Sequence, residues 1–328
     1  MLSLRPSFVL QESVMTVVVT GSGPVGRTVA ETFAAQGEHV RVLTRSGTGP
    51  EHPNIELVTA DVSDPASLGA AIPAGTTAVV HCTHGSAYRA DVWRRELPAH
   101  EAVVLDAAER VGAVVVFPES LYSYDASTMP FTEDTPRNAT EGKCGVRTEL
   151  LAARAAAAAP TASVVASDYF GPYALADVHA GERMIAPLLQ GKTVRPLGSV
   201  DVAHSFTFLP DYAAAMVAVA QRPDLWNAVW HAPTAPAPTQ REMIERFADA
   251  AGLAVPRVAP LPGWTVRIGG YLSRDMRELA EMLYQFERPF EMSSAASEAA
   301  LDLRPTDLQE AAETTIAWWR SRTATAAR

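Results

Sequence analysis

The sequence predicts an α/β protein, a doubly wound parallel sheet of Rossmann type followed by a smaller mixed α/β C-terminal domain. Three observations carry that prediction. Short, wholly apolar runs alternate with helical segments between residues 15 and 167, as strands do when helices cover both faces of a parallel sheet. The first run opens straight into a glycine-rich turn and then a helix. After residue 173 the alternation breaks, so a unit of different construction follows.

MTVVVT (15–20) is a β-branched run and reads as the first strand. Residues 25–36 put Val25, Val29 and Phe33 on one helical face, and Gly37 ends that helix. HVRVLT (39–44) and NIELVTAD (54–61) are the second and third strands. Asp64 and Pro65 open a short helix over 64–71, an N-cap followed by a proline that needs no donor. AVVHCT (78–83) is the fourth strand, 91–111 an amphipathic helix and AVVVF (113–117) the fifth strand. A Pro-, Thr- and Asp-rich loop covers 118–140. A helix starts near Glu141 with an alanine-rich core over 149–159, and ASVVAS (162–167) is the sixth strand. Beyond GPY (171–173) the expected order is a helix near 181–190, short strands at 193–197 and 204–209, a helix over 210–221 and a strand at 228–233. Helices near 239–251, 275–287 and 306–321 complete it, the last carrying Trp318 and Trp319 as a lid on the core.

The chain has 328 residues and a net charge of −10. An acidic surface repels phosphate backbones, which speaks against nucleic acid. No apolar run reaches the length of a membrane span. The two cysteines, Cys82 and Cys144, lie far apart, and the histidines show no metal-ligand spacing. The expectation is a cytoplasmic protein without a metal site. Residues 1–14 lack both a continuous apolar stretch and a cleavage site, so they read as a disordered extension rather than a signal peptide.

Gly21, Gly23 and Gly26 form G-x-G-x-x-G between the first strand and the first helix. In that context the first glycine permits the tight turn, the second lets backbone approach a pyrophosphate, and the third allows close helix–strand contact. Ser22, Pro24 and Val25 complete the loop, whose helix N-terminus favours phosphate charge. Arg45 follows the second strand where an acidic residue would hold the ribose 2′-hydroxyl of NAD. A guanidinium there suits a 2′-phosphate, so NADP(H) is expected over NAD(H). Asp61 and Val62, after the third strand, stand where adenine would rest, although Asp61 also suits a helix cap. The expected division is therefore 1–14 as extension, 15–170 as NAD(P)-binding domain and 171–328 as substrate domain, with some elements of the latter returning to the first sheet.

The segments TGSGPVG (20–26), TADVSD (59–64), FPESLYSY (117–124), TEDTP (132–136) and DYFGP (168–172) together resemble the extended short-chain dehydrogenase/reductase superfamily, of the NAD-dependent epimerase/dehydratase type, over nearly all of 15–321. The resemblance implies a catalytic serine at Ser120 and a Tyr-x-x-x-Lys pair on the helix after it. That pair is missing. Lys143 stands where the tyrosine is expected and Arg147 where the lysine is, so this segment resembles atypical members without the tyrosine. Tyr122, Tyr124, Tyr169 and Tyr173 are followed four residues on by Ala126, Thr128, Tyr173 and Asp177, never by lysine.

Acid/base duty then falls on Tyr122 or Tyr124 in the Ser120 loop, or on Lys143 with its pKa depressed by Arg147. Arg147 keeps its proton and can only position and polarise. The plainer alternative is that Lys143 and Arg147 bind the cofactor ribose or pair with Glu141 and Glu149. His81 and His84 flank the fourth strand as polar filling, and His204 is a candidate for the substrate pocket. The expected function is an NADP(H)-dependent oxidoreductase or epimerase/dehydratase-like enzyme acting on a small molecule. The alternative is a non-catalytic NADP(H) sensor on the same fold. Ala155–Ala159 on the helix after Lys143 would permit close helix packing in a homodimer.

Overall fold

A computed structural model describes residues 14–175 and 178–326. Apart from Val14, the extension expected at the N-terminus lies outside the described residues. The first half runs β1 (Thr16–Thr20), α1 (Pro24–Ala35), β2 (His39–Thr44), β3 (Ile55–Thr59), α2 (Pro65–Ala71), β4 (Thr76–His81), α3 (Ala90–Val111), β5 (Val114–Ser120), α4 (Gly142–Ala155) and β6 (Thr161–Ala166). The second half runs β7 (Asp168–Phe170), α5 (Ile185–Leu189), β8 (Phe206–Phe208), α6 (Leu209–Gln221), β9 (Ala228–His231), α7 (Gln240–Ala250), α8 (Gly263–Leu272), α9 (Arg274–Glu281), α10 (Tyr284–Glu287), α11 (Ala295–Leu301) and α12 (Leu308–Ala326).

The main sheet has seven parallel strands in the order β3-β2-β1-β4-β5-β6-β9. Strand alternation sends Val17 and Val19 to one face, where they meet Val29 and Phe33 of α1 and Met216 of α6. Val18 points to the opposite face, with Leu68 of α2 and Val104 of α3. Each such large side chain taken from water contributes about 1.5–3 kcal/mol. The strand order reverses between β1 and β4, and the carboxyl ends of strands at such a reversal frame a ligand crevice. α6 and β9, from the second half of the chain, complete this layer. A separate core joins Met184, Phe206, Ile244, Phe247, Ile316 and Trp319.

The second half departs from the sequence expectation in several places. The helix expected at 181–190 forms only as α5, and the stretch 181–184 before it is turn. In place of a strand at 193–197, Val194 and Leu197 make isolated bridges to Val258 and Leu261. The expected 275–287 helix breaks into α9 and α10. α8 and α11 were not expected from the sequence; in α8 the glycines of GWTVRIGGYL mask the helical pattern. α4 stops at Ala155, short of Ala159, and its Ala152, Ala153 and Ala155 are exposed.

Candidate active site

At the end of β1 the chain turns through Gly21, whose φ of +87° suits a residue without a side chain. Its N–H donates to the Leu43 carbonyl at 2.8 Å. A Cβ on Gly26 would sit 2.2 Å from the Gly21 carbonyl oxygen, so the turn closes against the helix only because Gly26 lacks one. Gly23 faces open space. It is the N-cap of α1 and makes no side-chain cap hydrogen bond, leaving first-turn N–H groups available to an anion. Ser22, Pro24 and Val25 are half-buried around it. These residues fit a dinucleotide pyrophosphate.

Arg45 is exposed directly after β2, in a turn where Ser46 and Thr48 bond through their hydroxyls at 2.7 Å. Asp61 accepts from the Ser63 N–H and hydroxyl at 2.9 and 2.7 Å. These bonds, aided by the charge of Arg45, hold its carboxyl below the usual range. The cap of α2 is Asp64 rather than Asp61. Val62 packs at the edge of the α2–α3 core.

Beyond the glycine loop, the ends of β4, β5 and β6 meet α4. Glu119, the penultimate residue of β5, is buried between two arginines. One of its oxygens lies 3.4 Å from Arg147 and the other 2.8 Å from Arg154, which also grips Glu101 at 2.6 Å. Burial works to raise the Glu119 carboxyl, but Arg147, Arg154 and the Ser120 N–H outweigh it and hold it below its ordinary value. Arg147 donates to His84 Nε2 at 2.8 Å and lies over the Trp93 ring. Burial, helped by Arg147, brings His84 down to about 4, so at neutral pH it is an uncharged acceptor. The Nε of Arg147 is buried with no partner, an arrangement that suits a hydroxyl of a bound ligand. The Ser120 hydroxyl donates to Glu119 at 3.3 Å.

Lys143 is wholly buried. Its ammonium donates to the Glu278 carbonyl (3.0 Å), the Glu278 carboxylate (2.7 Å) and the Glu281 carboxylate (2.6 Å). Its partners are thus on α9, not Glu141 or Glu149, and Glu149 pairs instead with Arg94. A Cβ on Gly142 would collide with Glu281, so that glycine makes room for the contact. Tyr122 stacks on Trp93, and its hydroxyl lies 2.8 Å from that of Tyr88. Tyr124, by contrast, is buried among Leu121, Phe131 and Phe290, with its hydroxyl 2.6 Å from His231 Nε2. Burial pushes both phenols up to about 12.

Asp168 bonds His204 at 2.7 Å, and the other ring nitrogen of His204 faces the Gln285 carbonyl at 3.0 Å. His204 is buried against Phe206, Phe286 and Phe290. Burial works to raise the Asp168 carboxyl, but the bond and charge of His204 prevail and keep it low. His81 lies inside β4 against Thr20, at 2.8 Å, and burial lowers it to about 3.

Sequence reasoning missed Tyr88, Glu119, Asp168, Glu278 and Glu281. Glu119 alone left a signal, a lone charge inside an otherwise apolar strand. Among the described residues, no cluster of His, Cys, Asp and Glu could hold a metal ion, and no helix is long and apolar enough to cross a membrane.

The sequence profile of the NAD dependent epimerase/dehydratase family matches residues 17–228. The chain belongs to that family. Membership places it among enzymes rather than cofactor sensors. No curated protein sequence matches it. Its fold is that of Bordetella bronchiseptica WbmH, solved with NAD+, at 19% identity and TM-score 0.72, covering 94% of this chain and 99% of that one. It is also that of the Bacillus anthracis dTDP-glucose 4,6-dehydratase, solved with NAD, at 16% identity and TM-score 0.73, covering 95% and 98%. The UDP-glucose 4-epimerase of Thermotoga maritima, solved with UDP-glucose, matches at 15% identity and TM-score 0.73, covering 94% and 100%.

Proposed function

We propose that this family member is an NADP(H)-dependent oxidoreductase or epimerase/dehydratase-like enzyme acting on a small organic substrate, with the Tyr122 hydroxyl as its acid/base group. The observation that carries the assignment is the 2.8 Å contact between the hydroxyls of Tyr122 and Tyr88 beside α4. The other candidates are committed elsewhere. Tyr124 is tied to His231 inside an apolar cluster. An ammonium has three N–H groups, and Lys143 uses all three on Glu278 and Glu281. Arg147 holds its proton, and its role is to position the ribose with its unpartnered Nε. When bound, the nicotinamide supplies or accepts the hydride. Tyr122 gives a proton to the substrate oxygen, or takes one from it. With a panel of ketones, enones and UDP-glucose, Tyr122→Phe is expected to lower kcat by 10²–10⁴-fold, on the order seen for loss of an acid/base group. Tyr124→Phe is expected to keep a near wild-type kcat and lose only stability. Wild-type turnover by Tyr122→Phe would overturn the assignment.

The preference for NADP(H) is supported by Arg45. The turn after β2, Thr44-Arg45-Ser46-Gly47-Thr48, holds no carboxylate to bond a 2′-hydroxyl, whereas a guanidinium with neighbouring hydroxyls suits a phosphate. Calorimetry is expected to show NADPH binding at least on the order of tenfold more tightly than NADH. Arg45→Asp should weaken NADPH and spare NADH. Equal affinities, or tighter NADH as the NAD complexes of similar structures would suggest, remove the argument from Arg45.

A further inference from the structure

We infer that Tyr88 and Tyr122 form a two-hydroxyl proton relay from solvent to the site, built from two separate loops. The inference rests on the reading of Tyr122 as the acid/base group and adds the path by which its proton is replaced.

Tyr122 lies in the single helical turn after β5, Tyr88 in the loop between β4 and α3, and Lys143 in the first turn of α4. No periodicity relates them, yet the two hydroxyls are 2.8 Å apart and the Lys143 ammonium lies 4.9 Å from the centroid of the Tyr88 ring. Trp93 fixes both phenols. It stacks on Tyr122 at an interplanar angle of 11° and meets Tyr88 edge-on at 85°. Tyr122 is half-buried, whereas Tyr88 is 43% exposed and reaches water. The pair therefore has an inner end, beside the site, and an outer end, in solvent.

Lys143 has no proton to offer without breaking a bond to α9, and the carboxylates of Glu278 and Glu281 answer its charge, so its part is to hold the Tyr88 ring in place. Burial, with Asp168 and Glu281 nearby, holds the Tyr88 phenol well above its ordinary value, so the two protons move together rather than through a free phenolate. In the reductive direction a bound reduced dinucleotide would supply the hydride to the substrate carbonyl carbon, and Tyr122 gives its proton to the carbonyl oxygen. Tyr122 recovers a proton from Tyr88, and Tyr88 from water. The products are the alcohol and the oxidised dinucleotide, with one proton consumed from solvent.

The test uses the full chain with NADPH and 9,10-phenanthrenequinone as carbonyl probe, measuring kcat in mixtures of H₂O and D₂O. Wild type is expected to give a curved proton inventory, because two protons move in one step. Tyr88→Phe, which keeps the ring for Trp93 and Lys143, is expected to give a linear inventory. Its kcat should fall on the order of tenfold, below the 10²–10⁴-fold loss from removing the acid itself, with unchanged NADPH affinity and melting temperature. A curved inventory and full kcat in Tyr88→Phe overturn the relay while leaving Tyr122 in its role. Full kcat in Tyr122→Phe, or no oxidation of NADPH by wild type, overturns the underlying reading and the relay with it.

Discussion

Replacing Glu119 by alanine is expected to cost the fold about 3–5 kcal/mol, the loss typical when one partner of a buried ion pair is removed and the other stays. Glu119 is fully buried, and its two oxygens answer Arg147 and Arg154 from opposite sides. Its own backbone is pinned by Tyr212, whose hydroxyl accepts from the Glu119 N–H at 2.8 Å and lies 3.0 Å from the Glu119 carbonyl. Alanine would leave Arg147 with only the neutral His84 and Arg154 with only Glu101 and Ser163. Denaturant unfolding reads the cost directly. The same residue sets part of the acid limit. Its carboxyl is depressed in the folded state, so its contribution is complete above the unfolded carboxylate range and is lost as pH falls through the folded value. Glu119→Gln should therefore be less stable than wild type at neutral pH, with the gap narrowing in acid. A gap independent of pH would show that the carboxylate charge contributes nothing.

Gly26→Ala is expected to abolish measurable dinucleotide binding, a loss of at least about 100-fold or ~2.7 kcal/mol. The new methyl would lie 2.2 Å from the Gly21 carbonyl oxygen and 3.2 Å from Cys82 Cβ, so the β1–α1 turn has to move. Gly23→Ala provides the contrast. Gly23 has φ −68°, which any residue adopts, and a Cβ there meets nothing within 4 Å. Its melting temperature should match wild type while its methyl occupies the room left for the pyrophosphate. Calorimetry with NADPH and NADH, paired with thermal unfolding, separates the two. If Gly26→Ala binds either dinucleotide as wild type does, this turn is not the cofactor cradle.

The sheet was legible because burial on both faces writes itself into every residue of a strand, as in TVVVT and VVVF. The glycine loop was legible because backbone geometry demands a residue type at fixed spacing. The family profile agrees with that part of the reading. The site beyond it was not, because its contacts join distant segments. Lys143 meets Glu278 and Glu281 across 135 and 138 residues, and Tyr88 meets Tyr122 across 34. Neither pairing leaves a local pattern. α9 was expected as part of one helix over 275–287, and its half-buried Met276, Leu279 and Ala280 pack against Val266, Leu283 and Phe286, but its end at Glu281 was not foreseen.

The charges around α9 give it a distinctive response to its medium. Beside its apolar contacts with Val266, Leu283 and Phe286, charge fastens it: Lys143 with Glu278 and Glu281, Arg274 with Asp91, and the Ala90 N–H with Glu278. Added salt tightens an apolar core by salting out, yet it screens exposed ions over about 8–10 Å at ordinary strengths. The apolar and the exposed ionic contacts of α9 therefore answer salt in opposite senses. As ionic strength rises the exposed Arg274–Asp91 clasp weakens first, leaving α9 held by the sheltered Lys143 pairs and by Met276, Leu279 and Ala280.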